Sequence, residues 1–269
     1  MQRRLKIVGL LVFTLAACSD DKTPSKTDGG TVGDASLVDS SLPDAVQPDS
    51  ASTCKPADPP CQGESIQQLD LLDTVNPAQP QEEGQKAGEF LTLVDATAGG
   101  MNPTMSYIYL RFENDGVKKV AIDDQAALTN ATWHLALRRF VIRINSGVSG
   151  PSCVVGARTA PNTTFEGLTS VPAGLSFEAE QYLTGTCGYV PDTSGLGSPA
   201  TVLSNFWQYP GCVKMTNNVY VIRLDSGRHL KLQVASYYPP DNQKACDETG
   251  KVPVPSGGGA VRLRWAWLD

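Results

Sequence analysis

Residues 217–238, "NNVYVIRLDSGRHLKLQVASYY", alternate apolar and polar side chains about a turn marked by Asp225, Ser226 and Gly227. Successive side chains of a strand point to opposite faces. Alternation at period two therefore places Leu230, Leu232 and Val234 on a buried face and His229, Lys231 and Gln233 on a polar one. The pattern recurs in "SYIYLRFENDGVKKVAID", where Asp115-Gly116 between two aromatic and β-branched runs signals a hairpin. "FLTLVDA", "RRFVIRIN" and the closing "GAVRLRWAWLD" supply further strands, the last with Val261, Leu263, Trp265 and Trp267 on one side. No stretch sustains the three-to-four-residue apolar period of a helix, so helix is a minor component. The expected fold is mostly β, an antiparallel, sandwich-like domain. Two connections, 146–176 and 184–206, are rich in Gly, Pro, Ser and Thr, and long loops on a rigid scaffold are where binding residues gather.

The N-terminus reads as an export signal. Arg3, Arg4 and Lys6 precede an apolar run over 7–15, and Ala16 and Ala17 lead to Cys18. The run is too short to span a bilayer as a helix, so residues 1–17 are expected to be a signal peptide. The Leu-Ala-Ala-Cys order resembles a bacterial lipobox, in which the cysteine is lipidated and becomes the new N-terminus. Cys18 is therefore the expected lipidation site and the membrane anchor, and Ser19 in place of Asp points to the outer membrane by the enterobacterial sorting rule. Residues 18–62 are rich in Asp, Ser, Thr and Pro and poor in aromatics, a composition that cannot bury enough apolar surface to offset chain entropy. They are expected to form a disordered tether, leaving 63–269 as one domain. Losing Arg3, Arg4 and Lys6 from a chain of 22 basic and 28 acidic residues leaves a net charge near −9. Such a surface lacks the basic footprint of a nucleic-acid binder.

Of seven cysteines, Cys18 is assigned to lipid, and the remaining six suit an oxidising compartment. Cys54 and Cys61 bracket a short Pro-rich loop and are expected to pair. Cys212 precedes one arm of the 217–238 hairpin and Cys246 follows the other, so their bond would clamp its open end. Cys153 and Cys187 are left for each other. No Cys-x-x-Cys or Cys-x-x-Cys-His spacing occurs, which argues against zinc and covalently attached haem.

Four segments in order, "WHLALRRFVIRINSGVSG", "TTFEGLTSVP", "VYVIRLDSGRHLKLQVASYY" and "VRLRWAWL", resemble the HmuY family of bacterial surface lipoproteins over roughly residues 90–269. Trp133, Arg139, Asn145, Gly147, Ser149 and Gly150 fit the family's Trp, Arg and Asn-x-Gly-x-Ser-Gly elements. Tyr220 to Arg223, Gly227 and Lys231-Leu232 fit its later strand, turn and strand. The resemblance implies a mostly β fold and, in the best-known members, capture of haem, with a receptor in the outer membrane as a further partner. His134 stands where the family has Asp, so the stretch around it is a signature of fold. His229 reads as a solvated side chain on a polar strand face. Haem-binding relatives hold the iron with two His or Met side chains on the long connections after the Asn-x-Gly-x-Ser-Gly motif. This chain has neither residue type between 150 and 212. Met215 is then the nearest soft ligand, with Tyr182, Tyr189 and Tyr209 as oxygen donors. Met215 and Tyr209 are the expected haem-binding residues. Met215 reads equally as a gap-filling core residue.

Catalysis finds little support. Neither histidine lies in a triad motif, "NSGVSG" lacks nucleophile-elbow spacing, and Glu166, Glu178 and Glu180 read as solvated surface charge. The expected function is a lipid-anchored envelope protein that binds haem or a related tetrapyrrole. The alternative is a surface protein or glycan interaction module on the same scaffold, with haem binding lost. Replacing the anchor, Cys18→Ser, is expected to leave the protein unprocessed or soluble. Detergent-phase partitioning equal to wild type would contradict the lipoprotein assignment.

Overall fold

Alternation at period two produces strands that bury one face, and in this computed structural model some strands bury both. The structure describes residues 54–86 and 88–268. Helix α1 (Gln62–Gln68) precedes strands β1 (Gln81–Lys86) and β2 (Glu89–Asp95), then the hairpin of β3 (Ile108–Glu113) and β4 (Gly116–Val120). The short helix α2 (Asp124–Ala127) leads to a second hairpin, β5 (Leu135–Arg138) and β6 (Val141–Ile144), and to β7 (Val155–Arg158). A long connection follows. The chain then forms β8 (Trp207–Gln208) and β9 (Lys214–Met215), the hairpin of β10 (Val219–Arg223) and β11 (His229–Ser236), helix α3 (Pro240–Thr249) and β12 (Ala260–Leu268). A six-stranded sheet runs β1-β2-β12-β11-β10-β7, a four-stranded sheet runs β4-β3-β5-β6, and β8 pairs with β9. Neighbouring strands are antiparallel. The fold is mostly antiparallel β, as the patterning implies.

The main core fills the space between the two larger sheets, with Phe90, Leu232, Leu263 and Trp265 meeting Ile108, Leu110, Leu137 and Ile142. Trp265 stacks on Phe90 at 4.1 Å, and its indole N–H donates to the Thr92 hydroxyl at 3.0 Å. The opposite face of the four-stranded sheet is also covered. There Tyr107, Tyr109, Trp133 and Ala136 pack against Leu69, Leu71, Leu128 and Tyr182. The alternation that sends Leu137, Ile142 and Ile144 into the main core sends Arg138 and Arg143 into this second one, where both are buried.

Buried guanidiniums need acceptors, and the covering segments supply them. Arg138 donates to the carbonyls of Leu69 and Asp70 and to the Asp124 carboxylate. Arg143 donates to the Tyr109 hydroxyl at 2.9 Å and the Ser149 hydroxyl at 3.1 Å. Asp124 accepts further from the backbone N–H groups of Leu72 and Tyr107 and from the Tyr109 hydroxyl. The Tyr107 ring lies between the two guanidiniums, 4.3 Å from Arg138 and 4.2 Å from Arg143. The Asn-x-Gly-x-Ser-Gly motif is the turn that brings the chain onto this face. Gly147 has φ 56°, and a Cβ there would run into the Glu180 carbonyl; one at Gly150 would meet Asn145 and Trp133.

Three sequence-based expectations are corrected. The disulfides are Cys54–Cys153, Cys61–Cys187 and Cys212–Cys246, so only the last follows the expected pairing. Cys54 and Cys61 do not close their own loop because the N-terminal segment runs along the second core, where each meets a different part of the long connections. The described residues include 54–62, whereas the expected signal peptide, Cys18 and the expected tether up to residue 53 lie outside them. Lys231 is buried rather than solvated. Segment 163–177 lies over the outer face of the six-stranded sheet, and the Lys231 ammonium donates to the carbonyls of Phe165 and Leu168 at 2.7 and 3.0 Å.

Glu180 is the third correction, since it is only 1 % exposed. Its carboxylate accepts from the N–H of Ile144 at 2.9 Å and of Val202 at 3.1 Å, clasping β6 to the long connection. Burial pushes its carboxyl up to about 7, against the pull of those two N–H groups and of Arg143. A folded value above the unfolded one favours the protonated form in the native state. Its stabilising contribution is thus complete below the ordinary glutamate range and is lost as pH rises through about 7. At 1.36 kcal/mol per pH unit the loss is on the order of 3 kcal/mol. In urea titrations between pH 5 and 8, Glu180→Gln is expected to remove a decline of that size. An unchanged pH slope would contradict it.

Candidate functional site

The strand registers put the β5–β6 turn at the end of the sandwich opposite the β3–β4 and β10–β11 turns. This end collects the aromatic side chains of Phe140, Tyr189, Trp207, Tyr209 and Tyr237. The turn consists of Arg139 and Phe140, with Arg139 in the left-handed region at φ 53°. Its N–H donates to the Ala96 carbonyl at 2.6 Å, and its guanidinium donates to the Gly100 carbonyl at 3.0 Å and lies 3.1 Å from the Met101 sulfur. The Phe140 ring is 5.0 Å from Trp207 and 6.2 Å from Tyr237. Tyr209 stands edge-on to Trp207 at 6.4 Å and is 47 % exposed, so its phenol reaches solvent. Tyr237 is enclosed behind this group. Its hydroxyl has no hydrogen-bond partner among the described residues, and burial pushes it up to about 12 against the pull of Arg139.

Two cavities of about 180 Å³ each flank the Phe140–Trp207 contact. One is polar, lined by Arg158, Asp192, Ser194, Asn205 and Asn218 beside Trp207 and Tyr209. The other is lined by Tyr107, Arg138, Arg139, Phe140, Tyr189 and Pro199. The 189–199 segment contributes to both and is braced internally. The Tyr189 hydroxyl donates to the Gly197 carbonyl at 2.8 Å and the Asp192 N–H to the Ser198 carbonyl at 2.7 Å.

The structure gathers only some of the sequence-predicted residues here. Tyr189 and Tyr209 belong to this end. Tyr182 is buried in the second core, its hydroxyl donating to the Val148 carbonyl at 3.2 Å. Met215 pairs across the β8–β9 ladder with Trp207 and is 6 % exposed within the main core. His134 lies near the other end and both of its ring nitrogens are engaged. Nδ1 accepts from the Phe112 N–H at 3.1 Å, and Nε2 is 3.2 Å from the Asp225 carboxylate, so the ring ties β3 to the β10–β11 turn. That hydrogen bond from His134 holds the Asp225 carboxyl below the usual carboxylate range. His229 is half-buried against Phe177 at 5.6 Å. A larger cavity, about 490 Å³, lies beside His134 between the two turns, with Arg228 stacked 3.6 Å over Trp267. Among the described residues, no group of three or more His, Cys, Asp or Glu side chains is placed to hold a metal ion. Sequence reasoning missed Arg139 and Phe140 as site residues. The available signal was an arginine at a two-residue hairpin turn, a position that ordinarily favours Gly or Asn.

A family model described as HmuY protein matches residues 103–249, more than half of the chain. The chain belongs to the HmuY family. No curated protein matches it. Among solved structures it is similar to a candidate lipoprotein from Bacteroides fragilis, at 16 % identity and TM-score 0.43, covering 70 % of this chain and 94 % of that one. It is also similar to a candidate HmuY-like haem-binding protein from Bacteroides vulgatus, at 13 % identity and TM-score 0.44, covering 71 % and 98 %. An apo HmuY analogue from Tannerella forsythia matches at 14 % identity and TM-score 0.37, covering 73 % and 100 %. Arg139, Phe140, Tyr189, Trp207, Tyr209 and Met215 all fall inside the span of the HmuY family match, and Met101 falls just outside it.

Proposed function

We propose that this protein is a lipid-anchored protein of the bacterial envelope, held through Cys18 in the outer membrane, that captures haem at the end carrying Arg139, Phe140, Trp207 and Tyr209. Tyr209 carries the reading: an outward phenol beside an indole, inside the family-matched span. A phenolate is a competent axial ligand for ferric haem. The aromatic faces of Phe140 and Trp207 and the cation of Arg139 suit a planar aromatic ring with acidic side arms. Each flanking cavity is smaller than the about 300–1,000 Å³ usual for drug-sized ligands, so capture requires the 189–199 segment to shift. Met215 acts as packing, because its thioether is enclosed. A binding role is supported by the family match, and both His134 nitrogens are committed to structural partners. The partner is then a membrane receptor that exchanges haem with this end.

A second reading rests on the polar cavity. Its Asp192, Ser194, Asn205 and Asn218 beside Trp207 and Tyr209 have the hydrogen-bonding and stacking character of a sugar subsite. Titration with haemin separates the two. The tetrapyrrole reading expects a saturable Soret shift at micromolar haemin, with Tyr209→Phe altering the Soret and charge-transfer bands and weakening affinity by about tenfold or more. Met215→Ala is expected to leave the bands unchanged while costing about 2–5 kcal/mol of stability. A flat titration would remove the haem reading and leave the glycan module.

A further inference from the structure

The cavity behind Arg139 has features that haem-iron ligation does not use. Leu69, Pro103, Phe140, Val141 and Pro199 supply apolar walls, and Arg139 and Tyr107 are among the polar side chains that line it. Arg139 is the first. Its guanidinium donates to the Gly100 carbonyl, lies near the Met101 sulfur and sits 5.8 Å from the Phe140 ring, and among the described residues no carboxylate lies within ion-pair distance of it. It projects from a left-handed backbone position, where a side chain is strained and persists only if its surroundings impose it. Tyr107 is the second. It lines the cavity and is 2 % exposed. Its ring packs against the guanidiniums of Arg138 and Arg143, which fixes where the hydroxyl points.

The charge of the surroundings points the same way. Of the two arginines that line the cavity, Arg138 is paired with the Asp124 carboxylate, whereas Arg139 has no carboxylate partner among the described residues. A single net cation with a fixed hydroxyl donor, at the mouth of a small apolar cavity, complements one carboxylate on an apolar body. A dianionic phosphate would leave charge unmatched against those walls.

We infer that this cavity is a carboxylate pocket in which Arg139 and the Tyr107 hydroxyl bind an acidic group carried on an aromatic or aliphatic body. That chemistry has two sources, the propionate of a tetrapyrrole or a free small aromatic acid. The first rests on the haem reading above and the second does not.

The test titrates the mature full chain with haemin, with haemin dimethyl ester and with benzoate, in wild type, Arg139→Gln, Arg139→Lys and Tyr107→Phe. For the propionate source, wild type is expected to bind haemin about tenfold or more tighter than the ester. Arg139→Gln and Tyr107→Phe should lower haemin affinity and leave ester affinity unchanged, and Arg139→Lys should restore part of the loss. For the free-acid source, benzoate binds wild type, its binding is lost in Arg139→Gln, and haemin does not bind. Equal affinity for haemin and ester, with no benzoate binding, would overturn the pocket while leaving the haem reading intact. Absence of binding by all three would overturn both. Tyr107→Phe removes one buried oxygen and no packing volume, so it keeps the test decisive if an Arg139 variant fails to fold.

Discussion

Two arginines buried on the same face of one sheet set the terms for the rest of the molecule. Arg138 and Arg143 occupy strand positions that point away from the main core, and leaving either without acceptors would cost about 3–5 kcal/mol. The carbonyls of Leu69 and Asp70, the Asp124 carboxylate and the hydroxyls of Tyr109 and Ser149 meet most of that demand, while the Arg143 Nε has no partner among the described residues. The N-terminal segment and the connection after β6 must therefore lie across this face. The disulfides Cys54–Cys153 and Cys61–Cys187 join the same two segments, with sequence separations of 99 and 126 residues. Bonds closing loops of that length restrict the unfolded chain by on the order of 4–5 kcal/mol each in the chain-entropy account.

From this base follows a division of labour between the two ends. At one end His134, Asp225, Arg111 and Phe112 hold the hairpin turns by hydrogen bonds and ionic contacts that leave the imidazole no free nitrogen. At the other end the 184–199 connection starts from the Cys61–Cys187 bond and runs over the β5–β6 turn. It brings Tyr189 to Arg139 and Phe140, and Asp192 and Ser194 to Trp207 and Tyr209. The connection is anchored at its base and braced by its own hydrogen bonds, yet it is not part of either large sheet. Such a segment can move without dismantling the core, which suits it to the proposed site and its small cavities.

The strands were legible because period-two alternation is a local signal, and Asp225 to Gly227 marks its turn directly. The second layer was not. Arg138 and Arg143 in "RRFVIR" look like the polar face of an ordinary amphipathic strand, and only the folded chain shows that face to be covered. The cysteine pairing failed for the same reason, since closing a short loop at Cys54 and Cys61 is the economical choice until the N-terminal segment is known to run over Arg138. Lys231 on a polar strand face and Glu180 among surface carboxylates read as ordinary in the sequence, because carbonyls and N–H groups distant in sequence are what satisfy them. Of the candidate ligands, Tyr209 lies just past the end of β8 and reaches solvent beside Trp207. Met215 pairs directly with Trp207 within the small ladder and is enclosed with it in the main core.

The central claim is that the ligand end is the one bearing Arg139 and Tyr209, and amide hydrogen exchange with and without haemin addresses it most directly. Slowed exchange is expected in 97–103, 139–141, 189–199 and 207–213, with the turns around Asn114 and Asp225 unchanged. Protection confined to those turns, beside His134 and Trp267, would place the ligand at the opposite end and contradict the assignment.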